Sequence, residues 1–103
     1  MKKVIDGKAY NTETATQIAN WDNGVYGSDF NACDETLYVT QKGNYFVSGA
    51  GGALTRWSRS CGNNGRQGGE GIEVLTKAQA LVWCEEHDVD TDTITKHFEV
   101  EEG

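Results

Sequence analysis

Residues 36–48 constrain this chain most. Thr36-Leu37-Tyr38-Val39-Thr40 and Tyr45-Phe46-Val47-Ser48 are runs of β-branched and aromatic residues on either side of Lys42-Gly43-Asn44. Such runs favour the pleated strand, and a short polar turn between them pairs them antiparallel. Gly49, Gly51 and Gly52 end the second run. A sheet built around this hairpin must find an apolar cover for at least one face.

The flanking segments suggest what that cover is. Lys2–Ile5 and Lys8–Tyr10 bracket Asp6-Gly7, a strong hairpin-turn dipeptide. Ala15, Ile18 and Ala19 fall at i, i+3 and i+4, which predicts a helix capped by Asn11 or Thr12 and running to about Asn20. Residues 22–34 read as irregular, with Tyr26 and Phe30 pinning them to the core and a helical turn starting at Ser28 or Asp29. Residues 53–60 read as a third strand, Gly62–Gly71 as a long polar loop, and Ile72–Leu75 as a fourth strand. Thr76 and Gln79 match a capping box that opens a helix to about His87. A last helix is expected from Asp90 to His97. The order predicts an α+β fold in one domain over residues 1–103. It comprises a small antiparallel sheet of about four to five strands with two or three helices on one face. Ile18, Leu37, Val39, Phe46, Trp57 and Leu81 form the expected core.

Charge narrows the function classes. The 103 residues carry a formal net charge of −7, and residues 72–103 hold nine acids against Lys77 and Lys96. Such a surface repels nucleic acid and attracts basic protein surfaces, unless it is only a solvated face. The longest apolar run, Ala78 to Cys84, is too short for a membrane span. The first residues have an acid and a glycine where a secretory leader needs an apolar stretch, so a cytoplasmic protein is expected. Three cysteines without a CxxC pair make a poor disulfide framework.

No constellation of catalytic residues stands out. Cys84 and His87 at i, i+3, with Cys33 and Cys61, supply a possible zinc set, but the spacing matches no zinc pattern; the simpler reading is a core cysteine and a helix-end histidine. Cys61 lacks a local histidine partner, with His87 and His97 both distant in sequence. Glu70, Asp29, Asp90 and Asp92 are ordinary acids in an acidic chain. The 62–71 loop lacks the spacings of phosphate-binding loops and leads into a strand rather than a helix. Neither catalytic residue, metal nor cofactor is therefore expected. Arg56, Trp57, Arg59, Arg66 and Tyr45 compose an alternative site for a small anionic ligand or nucleotide, with hydrolysis as an added option. Their footprint is too small for direct nucleic-acid binding. The 77–87 helix has apolar residues on several sides, so Trp83 is either buried or a contact for a partner or a second copy.

The segments Asp6–Ala15, Glu35–Tyr38 with Lys42–Phe46 and Gly49–Gly52, and Gly68–Glu70 with Leu75-Thr76, Ala80 and Trp83 together resemble a group of small bacterial proteins. That group is also carried by phages, plasmids and integrated elements. The resemblance spans about residues 2–88; Ala50 stands where the group more usually has an acid, and the three cysteines are not typical of it. Its setting is similar to that of anti-CRISPR and other anti-defence proteins. What the resemblance and the charge imply together is a non-enzymatic inhibitor. It would bind a host protein with a basic surface, such as a CRISPR effector, through Glu73, Glu85, Glu86, Asp88, Asp90 and Asp92.

Overall fold

A computed structural model describes residues 1–24, 30–61, 65–101 and 103, the side chain of Cys61 excepted. The central hairpin is present as expected. It consists of β4 (Cys33–Val39) and β5 (Tyr45–Gly51), paired antiparallel, with Leu37 opposite Val47 and Tyr38 opposite Phe46. Gly43 has φ +85° in the connecting turn, a conformation glycine adopts without a steric penalty. Two further strands complete a four-stranded antiparallel sheet: β3 (Thr16–Asp22) beside β4, and β8 (Gly69–Leu75) beside β5. The first hairpin, β1 (Lys2–Ile5) and β2 (Lys8–Asn11), turns at Asp6-Gly7 with positive φ at both residues, as a type I′ turn requires. A third small sheet pairs β6 (Arg59–Cys61) with β7 (Gly65–Gln67).

Alternation along the strands gives the sheet two covered faces. Leu37, Val47 and Ile18 point to one face and pack with Ala80, Trp83 and Cys84 of α1 (Lys77–Glu86). Phe98, which caps α2 (Thr91–His97), joins the same cluster. Both helices thus lie on one face, as expected. Phe46 and Ile72 point the other way and pack with Tyr10 of the first hairpin; the Tyr10 and Phe46 rings meet edge-on at 5.5 Å. Of the expected core, Ile18, Leu37 and Phe46 are buried; Val39, Leu81 and Trp57 are partly buried against it.

α1 begins where its capping box predicts, and α2 begins one residue after the expected start at Asp90. Thr76 and Gln79 exchange both capping-box hydrogen bonds, at 2.8 and 3.1 Å. Asp90 caps α2 through Thr93. α1 ends with His87 as its C-cap and Asp88 at φ +52°; the Val89 N–H returns to the Cys84 carbonyl, closing a Schellman motif.

Four expectations need correction. The helix expected to run to Asn20 is instead a tight turn at Asn11–Ala15 followed by strand β3. The register of β3 against β4 shifts between Gln17 and Ala19, so Ile18 occupies a bulge. A bulge inserts one residue into the alternation, so Ile18, Ala19 and Trp21 all face the helices. Ile18 and Ala19, adjacent yet on one face, imitated part of a helical stripe, whereas Ala15 packs on the opposite face with Tyr10, Phe46 and Ile72. Residues 53–58 form turns rather than a strand, which begins only at Arg59. The stretch read as a loop through Gly71 contains β7 and the start of β8. Phe30 is exposed rather than pinned inward. Tyr26 and the turn expected at Ser28 or Asp29 lie outside the described residues.

Candidate functional site

One row of residues crosses the helix-covered face of the sheet: Trp21 on β3, Glu35 on β4, Gly49 on β5 and Gly71 on β8, each opposite the next. The two glycines leave room above them, and the indole of Trp57 fills it. A Cβ at Gly49 would fall on that ring. The segment 53–58 is laid across the sheet in this way, and its side chains reach the carboxylate of Glu35.

Glu35 is only 4% exposed. Its Oε2 accepts from Arg56 Nε at 2.7 Å and from Trp57 Nε1 at 2.9 Å, and its Oε1 accepts from Trp83 Nε1 at 2.8 Å. A buried carboxylate survives only with such partners. Burial pushes its pKa up, but the bonds from Arg56, Trp83 and Trp57 and the guanidinium charge outweigh it, so the group titrates below the ordinary carboxylate range. Arg56 also pairs with Glu73 at 2.9 Å and lies 4.6 Å over the Trp57 ring. The guanidinium, held first by its bond to Glu35, is raised further above its already high pKa.

His87 closes the far side. Its ring stacks on Trp21 at 4.1 Å and meets Trp83 edge-on at 4.7 Å, with Nε2 3.8 Å from Glu35 Oε1. Burial lowers its pKa more than the neighbouring carboxylates raise it, so the imidazole is neutral at pH 7. Beside this group a cleft of about 810 Å³ opens between β8, the 53–58 turn and α1. Trp21, Trp83, His87 and Arg56 line it together with Glu73 and Glu86.

Of the acids expected to meet a partner, Glu73 and Glu86 line the cleft. Glu85, Asp88, Asp90 and Asp92 are exposed on the end of α1, the connecting turn and the start of α2. The five residues of the alternative ligand site do not converge on it. Only Arg56 lines the cleft. Trp57 is held over Gly49, Arg59 donates to the Glu70 carbonyl, Arg66 donates to Ser58, and Tyr45 stacks on Phe98. Trp83 is 6% exposed, so burial is the outcome for that ring.

The cysteines sit apart chemically. Cys84 is fully buried and its thiol is pushed up by burial, then by Glu85. Cys33 lies at the cleft with Sγ 3.9 Å from Glu35; burial and that carboxylate push its pKa up, the reverse of what a thiolate nucleophile needs. Among the described residues, no group of three or more His, Cys, Asp or Glu is placed to hold a metal. No described helix is long and apolar enough to cross a membrane.

Glu35 was missed as a site residue because its sequence neighbourhood, Asp34-Glu35-Thr36, reads as the polar start of a strand. The available signal was its register: three positions opposite or near it are Trp or Gly, which only pairing reveals. No known protein family, curated protein or solved structure matches the chain.

Proposed function

We propose that this protein is a non-enzymatic binding protein that engages a basic surface of a protein partner through the acidic rim of its cleft. The observation that carries the reading is the charge of the cleft. Its one described cation, Arg56, is already paired with Glu35 and Glu73, and Glu86 adds a further carboxylate. A cleft of that sign attracts cations and repels anions. The exposed acids at the end of α1 extend the same field. Glu85 and Glu86 occupy the last turn of α1, where the helix dipole disfavours carboxylates, and no basic residue offsets them there. Two acids at this mildly unfavourable place stand available for contact with a cationic surface.

The finer reading is an inhibitor from a phage or mobile element, acting in the cytoplasm on a nucleic-acid-handling defence complex. It draws on the charge asymmetry and on the resemblance of residues 2–88; two described cysteines, both free thiols, suit a reducing compartment. Acids would then occupy sites a basic groove reserves for phosphates. A small-ligand reading draws on the volume of the same cleft. Its charge selects a cationic ligand over the anionic one expected from Arg56, Trp57, Arg59, Arg66 and Tyr45.

The test is co-purification of tagged protein from its native host, with a Glu85→Lys/Glu86→Lys variant in parallel. A partner with a basic groove that is retained by the wild type and lost by the variant supports the reading. Partners retained equally by both, or lost instead on Arg59→Ala/Arg66→Ala, would count against it.

A further inference from the structure

Building on the reading of the protein as a binder of basic surfaces, we infer that the cleft receives an arginine side chain of the partner. The charge balance excludes an anion. Among the described lining residues one guanidinium faces three carboxylates, Glu35, Glu73 and Glu86, and His87 is neutral. Two of those carboxylates have capacity left. Glu73 engages Arg56 through Oε2 alone, and Glu86 makes no ion pair or hydrogen bond with the described residues. They come from different elements, β8 and α1, and flank the opening from two sides.

The walls distinguish arginine from other cations. Trp21, His87 and Trp83 form an aromatic group on one side, in which Trp21 and His87 lie nearly parallel, at 29°. A planar guanidinium stacks on such rings and donates in its own plane to carboxylates, which a compact, strongly hydrated ammonium does not do. Leu54 and Val82, 68% and 47% exposed, stand at the lip and offer apolar cover for the methylene stem. Arg56 already displays the arrangement within the fold, with its guanidinium over Trp57 and on Glu35 and Glu73. The incoming side chain would repeat that pattern one step outward.

The probe is N-acetyl-L-arginine amide, titrated into the full chain while the backbone and indole N–H resonances are followed. Its citrulline counterpart, the uncharged isostere, and its lysine counterpart are the comparisons. Saturable shifts are expected at the Trp21 and Trp83 indoles and at the Glu86 amide. Binding of the citrulline compound should be about tenfold weaker, and of the lysine compound about threefold weaker. Glu86→Gln, which breaks no ion pair or hydrogen bond with the described residues, should weaken arginine binding about fivefold. The assignment is overturned by unsaturable shifts, by equal binding of citrulline, or by unchanged affinity in Glu86→Gln. Any of these outcomes removes arginine as the occupant while leaving the co-purification result, read on Glu85 and Glu86 together, to judge the basic-surface reading separately.

Discussion

Trp83 Nε1 on α1 donates to Glu35 Oε1 on β4 at 2.8 Å, across 48 positions of sequence. Apolar packing alone lets a helix slide or rotate over a sheet at small cost, because many side-chain arrangements bury similar area. A hydrogen bond to a buried charge does not allow this, since any displacement leaves the carboxylate unpaired. The same carboxylate holds Arg56 and Trp57 of the 53–58 turn. One side chain therefore sets both walls of the cleft, and the stability of the fold and the shape of the site are linked through it.

Replacing Glu35 should show that linkage directly. Glu35→Ala leaves two indole donors and a guanidinium facing an apolar gap, and should cost about 3–5 kcal/mol. Glu35→Gln keeps an acceptor for only part of the set and should cost about 1.5–3 kcal/mol. Trp83→Phe removes one donor and should cost less than either. Urea unfolding gives the three values. Near-wild-type midpoints for both Glu35 variants would mean the carboxylate is not the keystone described.

Acid should destabilise the fold in two stages. Burial depresses the His87 pKa, so the unfolded chain takes up its proton first as pH falls through the ordinary 6.5. Stability then declines with falling pH until His87 is protonated in the folded state as well. The Glu35 pKa is depressed by its hydrogen bonds, which outweigh its burial. Its stabilisation is therefore full above the ordinary 4.5 and is lost as pH falls through the lower folded value. Asp90, lowered by its bonds to Thr93, titrates in the same lower stage. Unfolding midpoints measured against pH should lose the upper stage in His87→Asn and shrink the lower one in Glu35→Gln.

Much of the fold was legible in local chemistry. The Asp6-Gly7 turn, the hairpin about Gly43, the Thr76 capping box and the start of the last helix at Asp90 each depend on residues within a few positions of one another, and each stands where the sequence places it. The β3 strand was not legible, because the bulge at Ile18 converts a period of two into a spacing that fits a helix. The site was partly legible. Glu73 and Glu86 were singled out for their charge, and they line the cleft. Glu35 and His87 as a pair were not, since what defines them is the row Trp21–Glu35–Gly49–Gly71 and the stacking of His87 on Trp21. Those contacts join residues tens of positions apart, and no periodicity in one segment encodes them.

The glycine row supplies a paired prediction. A Cβ at Gly49 would overlap the Trp57 indole, whereas at Gly71 it would rest 3.5 Å from the same ring, an ordinary contact. Gly49→Ala should therefore push Trp57 off Glu35 and cost about 1–3 kcal/mol, the usual range for overpacking. Gly71→Ala should be close to neutral, because the strand gains from a less flexible residue what it loses in fit. Chemical denaturation of both variants, with the Trp57 indole resonance as a local readout, checks the pair. A Gly71 variant as damaged as the Gly49 variant would mean that Trp57 is seated differently.

The last prediction separates attraction at a distance from contact in the cleft. Glu85 and Asp88 are exposed and outside the cleft, while Glu86 lines it. Charges of the first kind act on the approach of a basic partner and are screened within about 10 Å at 0.1 M salt. Charges of the second kind act on the docked complex and so on its lifetime. Asp88 has φ +52°, a conformation that asparagine tolerates, so Asp88→Asn removes its charge without straining the turn. Glu85→Lys/Asp88→Asn should slow association several-fold, flatten its dependence on salt and leave dissociation almost unchanged. Glu86→Gln should do the opposite, speeding dissociation about fivefold with little change in association. Both variants should fold at least as well as the wild type, since each relieves the end of α1 of a carboxylate that its dipole disfavours. Surface-binding kinetics with the purified partner, repeated over a range of ionic strength, read the two rates independently. If Glu86→Gln altered only the approach and Glu85→Lys/Asp88→Asn only the lifetime, the partner would be docking on the exposed end of α1 and not in the cleft.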